Sequence, residues 1–489
     1  MAVVRLLLVL LALAICLALP GSAAASPRQL TIMQDDQVFM GWSSHDPKAG
    51  MDEVQRLGAD VIRTTLVWEY VAPRPRSDHM PAGFDIADPN SPGYDWASYD
   101  RVVRLARAAG LRVLVNIAGA IPHWASAQPR RCHQRCVWKP RASLFGRFAS
   151  AVARRYRGKV WMYSVWNEPN LAAWLQPSVR RTRYGVVDLQ AKAYRQLWMS
   201  AWRAIARDDP GRRNRVLFGE TAAIGEPIPT LYAALCLDPR GRPFRGHMRA
   251  LQGCRHARRL PVGGFAHHPY NRAATGSWRT LTRIPTSLSI AYLWRLSRLM
   301  RVAARRHRIP GGRGVWVTEF GYQTRPPDRV HGISLWRQAR ELNESERLFF
   351  ADRHVRAFSQ YELFDAPSVV QYNTGLRFQG GRHKPSYDAF RLPLVVTRLS
   401  RNRVEVWGCA RPSYGVRRVR LLARRPGGRS KLVARPRTNS QGYFRIRIGR
   451  RSASRLIWRL ERTLASATGQ PITYRSRAAH VGGRVHYSR

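Results

Sequence analysis

Eight apolar, β-branched runs recur about every 50 residues along most of the chain, and this rhythm constrains the fold more than any other feature. They are "VFMGWSS" from Val38, "VIRTTLVW" from Val61, "RVLVNIAG" from Arg112, "VWMYSVWN" from Val160, "RVLFGETA" from Arg215, "GGFAHHPY" from Gly263, "GVWVTEFG" from Gly314 and "SVVQYN" from Ser368. Amphipathic patterns separate them, with apolar residues at three- and four-residue spacing, the mark of a helix. Such patterns lie near 52, 97, 141, 189 and 289, and a last one, "ESERLFFADRHVRAFSQY", starts at Glu344. Strands alternating with helices imply parallel pairing through crossovers. Eight such units predict a closed (β/α)8 TIM barrel. An open doubly wound sheet is the alternative, and the absence of a Gly-rich phosphate turn after the first run disfavours it.

Two other segments flank this region. Residues 1–25 combine Arg5, an apolar stretch over Leu6–Leu19 and "AAA" at 23–25, which predicts a secretory signal peptide cleaved after Ala25. From residue 398 the pattern changes to short strands separated by turn signals such as "PGG" and "TNSQG". That predicts a small all-β, Ig-like sandwich over 398–489 after a barrel over 26–397.

Export permits disulfides. Five cysteines follow the signal segment, and the expected pairs are Cys132–Cys136 and Cys236–Cys254, with Cys409 left over. "CHQRC" also offers His133 for zinc, but no second ligand pair follows at finger spacing.

The chain carries 83 Lys and Arg against 30 Asp and Glu, a formal charge of +53. Only six of the basic residues are Lys, the usage of a GC-rich genome. Within 398–489 there are 24 basic residues and two acidic ones. A surface this basic binds polyanions. For an exported chain the expected partner is an anionic cell-envelope polymer, and no nucleic-acid-binding motif is present.

In a β/α barrel the chemistry sits at the carboxyl ends of the strands. The runs end in Trp42 and His45; Arg63 and Trp68; Asn116, with His123 and Trp124 beyond; Asn167 and Glu168; Glu220; His267, His268 and Tyr270; Glu319; and Gln371, Tyr372 and Asn373. Glu168 and Glu319 close the fourth and seventh runs, which places them across the barrel mouth from one another. Paired carboxylates flanking one bond are the requirement of glycoside hydrolysis, one protonated to release the sugar oxygen and one ionised to attack. Each Glu alone reads equally well as a structural ion-pair acid; the pairing at the right strand ends favours catalysis. Glu220 reads as a substrate contact or an Arg partner, and the tryptophans as sugar platforms or core. Asn116 reads as a sugar contact or a loop closure. The two histidines lack the carboxylate-rich surroundings of a metal site, so no metal or cofactor is expected.

"VWNEPN" and "VWVTEFGYQT" resemble the fourth- and seventh-strand motifs of the clan A retaining glycoside hydrolases, which include the cellulase-like family 5 and family 39. The resemblance covers about residues 35 to 395. It implies Glu168 as acid/base, Asn167 as a contact to the sugar 2-hydroxyl, Glu319 as nucleophile, Arg63 as its support, and His268 and Tyr270 as the sixth-strand pair beside it. "HHPY" leaves open which histidine is meant, and "VVQYN" departs from the Trp that often ends strand eight. The expected function is a secreted or envelope-associated retaining glycosidase acting on a poly- or oligosaccharide. Trp68, Trp124, Asn116 and Glu220 are added as substrate-binding candidates. A non-catalytic glycan-binding protein and a transglycosylase using the same residues are the alternatives. The C-terminal sandwich is expected to be largely dispensable for cleavage of small glycosides.

Overall fold

The computed structural model describes residues 26–271, 277–281, 283–368, 372–413, 415–465 and 469–487. The signal segment predicted over 1–25 lies outside them. Eight parallel strands close into a barrel: β1 (Leu30–Gln34), β2 (Val61–Val67), β3 (Arg112–Ala118), β4 (Met162–Val165), β5 (Val216–Ala222), β6 (Gly264–His268), β7 (Val315–Val317) and β8 (Val355–Tyr361). The barrel is closed by β1, which pairs with both β8 and β2. Helices at Pro47–Leu57, Ala97–Ala108, Ala142–Arg155, Leu189–Asp208, Trp294–Arg305 and Leu335–Ala351 lie between the strands.

Six of the eight predicted runs are barrel strands; the first holds a short helix, and the last, whose residues 369–371 lie outside the described residues, is replaced in the barrel by a strand upstream of it. "VFMGWSS" holds a short helix, Asp36–Phe39, whose first turn is capped by the Asp35 side chain accepting from the Val38 amide at 3.2 Å. The true first strand is "LTIMQ", immediately upstream. At the other end, Gln371 lies outside the described residues, and Tyr372 and Asn373 belong to a loop. The eighth strand is "VRAFSQY", which follows the Leu335–Ala351 helix after only Asp352, Arg353 and His354. Ala351, Val355 and Phe358 continue the four- and three-residue spacing of that helix, so strand and helix merge into one apparent pattern. Strands four and seven keep their numbers under both corrections, so the spatial argument for Glu168 and Glu319 is unaffected.

One residue from every strand (Ile32, Val61, Leu114, Met162, Leu217, Ala266, Trp316 and Ala357) joins a single apolar cluster. The barrel axis is therefore packed, not open. Polar residues at the carboxyl ends sit above this solid base.

The chain then forms two four-stranded sheets. One orders Tyr443–Gly449, Arg403–Cys409, Leu394–Arg398 and Val481–Gly482; the other orders Lys431–Ala434, Arg420–Arg424, Ile457–Ala465 and Pro471–Arg475. Leu394, Val406, Leu421, Phe444, Trp458 and Leu460 share the core between them. The first strand of this β region, Leu394–Arg398, starts just upstream of the composition change.

The sandwich is fastened to the barrel through the Leu335–Ala351 helix. Buried Glu346 is ion-paired to buried Arg411 and accepts from the Tyr443 hydroxyl at 3.0 Å. Asn343 accepts from Arg477 at 2.9 Å and donates to the Ala389 carbonyl at 2.7 Å. Phe350, Trp407 and Tyr443 pack together across the same junction.

Cys132–Cys136 and Cys236–Cys254 are disulfide-bonded, and Cys409 is a buried free thiol that burial pushes up to about 12. Among the described residues no helix is long and apolar enough to cross a membrane.

Candidate active site

Arg63 from within β2 and Glu168, Glu220, His268 and Glu319 from the carboxyl ends of β4, β5, β6 and β7 meet in one hydrogen-bonded group. Arg63 is fully buried and is shared among five partners, one of them the Thr65 hydroxyl at 3.2 Å from Nη1. Its Nη1 donates to Glu319 at 2.8 Å and also to Gln34, while its Nη2 donates to Asn167 at 3.1 Å and to Glu220 at 3.2 Å. A rigid five-donor guanidinium suits such a hub better than an ammonium would.

His268 is the second hub. Its Nε2 lies 2.7 Å from Glu220, and its Nδ1 lies 3.1 Å from Glu168 and 3.6 Å from Glu319. Burial works against charge on the ring, but Glu319, then Glu168 and Glu220, outweigh it and raise its pKa to about 10. His268 is therefore an imidazolium at neutral pH, donating from both nitrogens. Burial would likewise raise the Glu220 acid, but Arg63 and then His268 pull it down to about 2. Glu220 also accepts from the Thr318 hydroxyl at 2.7 Å. It is a permanent anion locked between two cations.

One oxygen of each of Glu168 and Glu319 lies within reach of a single nitrogen, His268 Nδ1. Those oxygens can be no farther apart than the 6.7 Å to which the 3.1 and 3.6 Å contacts add. Both side chains keep partial access to solvent, at 17% and 14%, whereas Arg63, Glu220 and His268 have none. The two exposed carboxylates face the cleft and the three closed groups hold them.

The backbone that presents Glu168 is strained. Trp166, Glu168 and Glu220 have φ values of 67°, 41° and 46°, in the left-handed region that non-glycine residues avoid at a cost of about 1–3 kcal/mol each. The Glu168 amide donates to the Glu220 carbonyl at 2.8 Å, which ties the ends of β4 and β5 together. Asn116 donates to the Trp166 carbonyl at 2.6 Å and to Ser164 at 2.9 Å. The Trp166 indole is fully buried against Gly119, where an added Cβ would lie 2.6 Å from the ring. No other residue fits there.

The remaining predicted site residues divide clearly. Asn116 is fully buried and braces the β4 exit from behind. Trp68 and Trp124 are core: Trp68 stacks on Phe148 at 4.9 Å and meets Trp124 edge-on at 5.5 Å, and neither offers a face to the cleft. His267 is fully buried; its Nε2 donates to the Leu288 carbonyl at 2.7 Å and its Nδ1 accepts from the Thr221 hydroxyl at 2.9 Å, and burial lowers it to about 4. His268 is thus the histidine of the cleft. Tyr270 packs near Phe320 and Tyr372, and its hydroxyl has no hydrogen-bond partner among the described residues.

Exposed rings at the rim include Tyr372, 48% exposed, and Trp42 and Tyr70, at 43% and 54% and edge-on to each other at 5.6 Å. Burial and then the charges of Glu168 and Glu319 raise the Tyr372 phenol to about 12, which places its hydroxyl within reach of both fields. Gln34, Thr318 and Tyr70 were not legible as site residues. Gln34 lies on the misplaced first strand, while Thr318 had a signal in its position directly before Glu319. Arg135, inside the Cys132–Cys136 loop, stacks over Trp174 at 3.8 Å. Among the described residues, no group of three or more His, Cys, Asp or Glu is arranged to hold a metal ion.

No protein-family model matches the sequence, and no curated protein does. The fold is similar to that of a glucosidase from Croceicoccus marinus, with a TM-score of 0.51, 12% identity, and coverage of 88% of this chain and 94% of that one. The matched share exceeds the barrel alone, so the likeness extends into the C-terminal sheets. A psychrophilic glycoside hydrolase family 10 endo-β-1,4-xylanase matches at a TM-score of 0.43 with 12% identity, over 74% of this chain and 95% of its own. A β-glucosidase from Pyrococcus furiosus matches at 0.43 with 14% identity, over 74% and 94%. At these identities the likeness is one of fold.

Proposed function

We propose that the protein is an exported glycosidase that cleaves O-glycosidic bonds with retention of configuration. The observation that carries this reading is the contact of both solvent-facing carboxylates, Glu168 and Glu319, with the one nitrogen of His268. Retaining enzymes need their carboxyl groups about 5–5.5 Å apart, while inverting ones need about 6.5–9.5 Å to seat a water. The 6.7 Å ceiling on the separation of Glu168 Oε1 and Glu319 Oε2 leaves room for the retaining spacing and excludes most of the inverting range. The barrel-plus-β-domain fold shared with a glucosidase supports glycan chemistry at the level of class.

Glu319 is the nucleophile. Arg63 donates to one of its oxygens and His268 approaches the other, so its negative charge is held and aimed without being quenched by a covalent partner. Glu168 is the acid: it gives its proton to the departing sugar oxygen as the Glu319 carboxylate forms a bond to the anomeric carbon. Water, deprotonated by Glu168, then displaces the sugar from Glu319, and the proton returns to Glu168. Charge balance fits this cycle. Three glutamates face two fixed cations, Arg63 and His268, so the cluster is neutral when Glu168 holds its proton and carries one negative charge when it does not. Asn167, held by Arg63, is placed to contact the sugar beside Glu168. The two disulfides suit an oxidising compartment.

The test is Glu319→Gln assayed with the wild type on a panel of aryl glycosides and polysaccharides. Hydrolysis by the wild type, lost in the variant while glycan binding persists, supports the reading. A wild type that binds glycan yet cleaves nothing in the panel favours the binding-protein alternative.

A further inference from the structure

A cleft of about 830 Å³ opens on the C-terminal sandwich. Arg424, Arg425, Arg429 and Lys431 line one side, at the turn joining the strands Arg420–Arg424 and Lys431–Ala434. Arg450, Arg451 and Arg455 line the other, in the turn that leaves Tyr443–Gly449. Seven of its twelve lining residues are cationic and none is acidic.

These cations have no carboxylate partners among the described ion pairs, and the sequence explains why. The segment 398–489 holds only two acids, Glu405 and Glu461. Glu405 pairs with Arg347 at 3.0 Å and Arg445 at 2.8 Å, and Glu461 with Arg475 at 2.8 Å and Arg420 at 3.3 Å. Nothing acidic is left to neutralise the cleft. Converging like charges disfavour the folded state until an anion sits between them. A second groove, of about 820 Å³ on the barrel flank, is also basic, but there Asp208 pairs with Arg154 at 3.5 Å and Asp100 with Arg155. The sandwich cleft differs in having no such compensation.

The lining defines the ligand. It contains no aromatic ring, so it offers no platform for stacking a neutral sugar. Guanidinium forks instead match carboxylate and phosphate oxygens in pairs. Seven cations on two facing turns exceed what one small anion can satisfy, which calls for a chain with repeated charge.

We infer that this cleft binds a linear acidic glycan, one bearing a carboxylate or a phosphate on each repeat, and so holds the barrel against it. The choice of a glycan over other polyanions rests on the glycosidase reading; the binding itself does not.

The experiment uses the full chain, immobilised polygalacturonate and a linear phosphomannan as probes, and dextran and duplex DNA as comparators. The cleft variant R425Q/R450Q/R451Q is compared with R104Q/R107Q/K159Q, which removes the same charge from the barrel flank. Binding to an acidic polymer is expected to weaken about fifty-fold between about 50 and about 200 mM salt, as four contacts to a flexible polyanion dictate. The cleft variant should lose about tenfold or more in affinity and the flank variant less than about threefold, with aryl-glycoside turnover unchanged in both. Whichever polymer binds distinguishes carboxylate from phosphate. Equal losses in the two variants, full retention by the cleft variant, or no binding to either polymer overturns the inference. DNA binding as tight as that of the polymers overturns its assignment to a glycan. Because binding is read without turnover, a protein that adsorbs but does not hydrolyse would leave this inference standing and remove only the glycosidase reading.

Discussion

Glu168 Oε1 lies 3.1 Å from His268 Nδ1, on a ring whose other nitrogen is already 2.7 Å from Glu220. In the proposed reaction the carboxyl that moves a proton is therefore tethered to a ring that two further glutamates keep cationic.

That tether has a pH signature. The folded pKa of His268, about 10, is above its ordinary value of 6.5, so folding is favoured by its protonation. The contribution is complete below about 6.5 and declines as pH rises toward about 10. Glu220 has the opposite sign: its value near 2 is below the ordinary 4.5, so its contribution is present above 4.5 and is lost as pH falls through 2. The His268→Asn variant should be least stable relative to wild type at pH 5–6, and the gap in Tm should narrow steadily toward pH 10. A Tm difference that stays constant across that range would show that His268 is neutral in the fold.

Glu168→Gln separates the steps by leaving group. Without its acid the enzyme cannot protonate a poor leaving oxygen, and kcat/KM on unactivated oligosaccharides should fall about 10²–10⁴-fold. A dinitrophenyl glycoside departs without a proton, so its glycosylation rate should fall far less. Steady-state and burst kinetics on both substrates check this; equal losses would argue against an acid role.

The sandwich is a structural partner of the barrel. Removing residues 394–489 would strip the Phe350 contacts and leave Glu346 without Arg411 and Tyr443. Breaking one side of a buried ion pair costs about 3–5 kcal/mol, so Arg411→Met alone should lower Tm by several degrees and the truncated barrel should be insoluble or unfolded. Of the roles open to this segment from the sequence, which include surface attachment and bracing of the barrel, these contacts favour bracing. Thermal unfolding of Arg411→Met beside the wild type decides it: an unchanged Tm would return the sandwich to the status of an appendage.

Tyr372 and Trp42 are exposed at the rim. An aromatic contact is worth about 0.5–1.5 kcal/mol beyond its area. Tyr372→Ala should raise KM for oligosaccharides about three- to tenfold and lower Tm only slightly, since about half of the side chain is open to solvent while the rest packs on Tyr270 and Tyr361. Trp42→Ala should do the same only for longer substrates that reach over the first strand. Loss of stability instead of affinity would make either ring a packing residue.

The clustering of Asn167, Glu168 and Glu319 was legible because they sit at the ends of the fourth and seventh runs. Arg63 and Glu220 were visible for the same reason. What escaped the sequence was the identity of the outer elements and the direction of the rings. The Leu30–Gln34 strand is short and adjoins the predicted export segment, and the Val355–Tyr361 strand continues the spacing of the helix before it. Trp68 and Trp124 sit at strand ends, just as sugar platforms would, yet both turn into the core against Phe148 and each other. Position along a strand fixes where a residue is; which way a ring points depends on neighbours brought from distant parts of the chain. The choice between His267 and His268 needed the same knowledge, since only the second faces the three glutamates.

The account rests most heavily on retention. Proton NMR of the first-formed sugar, recorded with wild-type enzyme before mutarotation, reads it directly. The expected first product has the same anomeric configuration as the substrate. A first product of inverted configuration would contradict the roles given to Glu319 and Glu168.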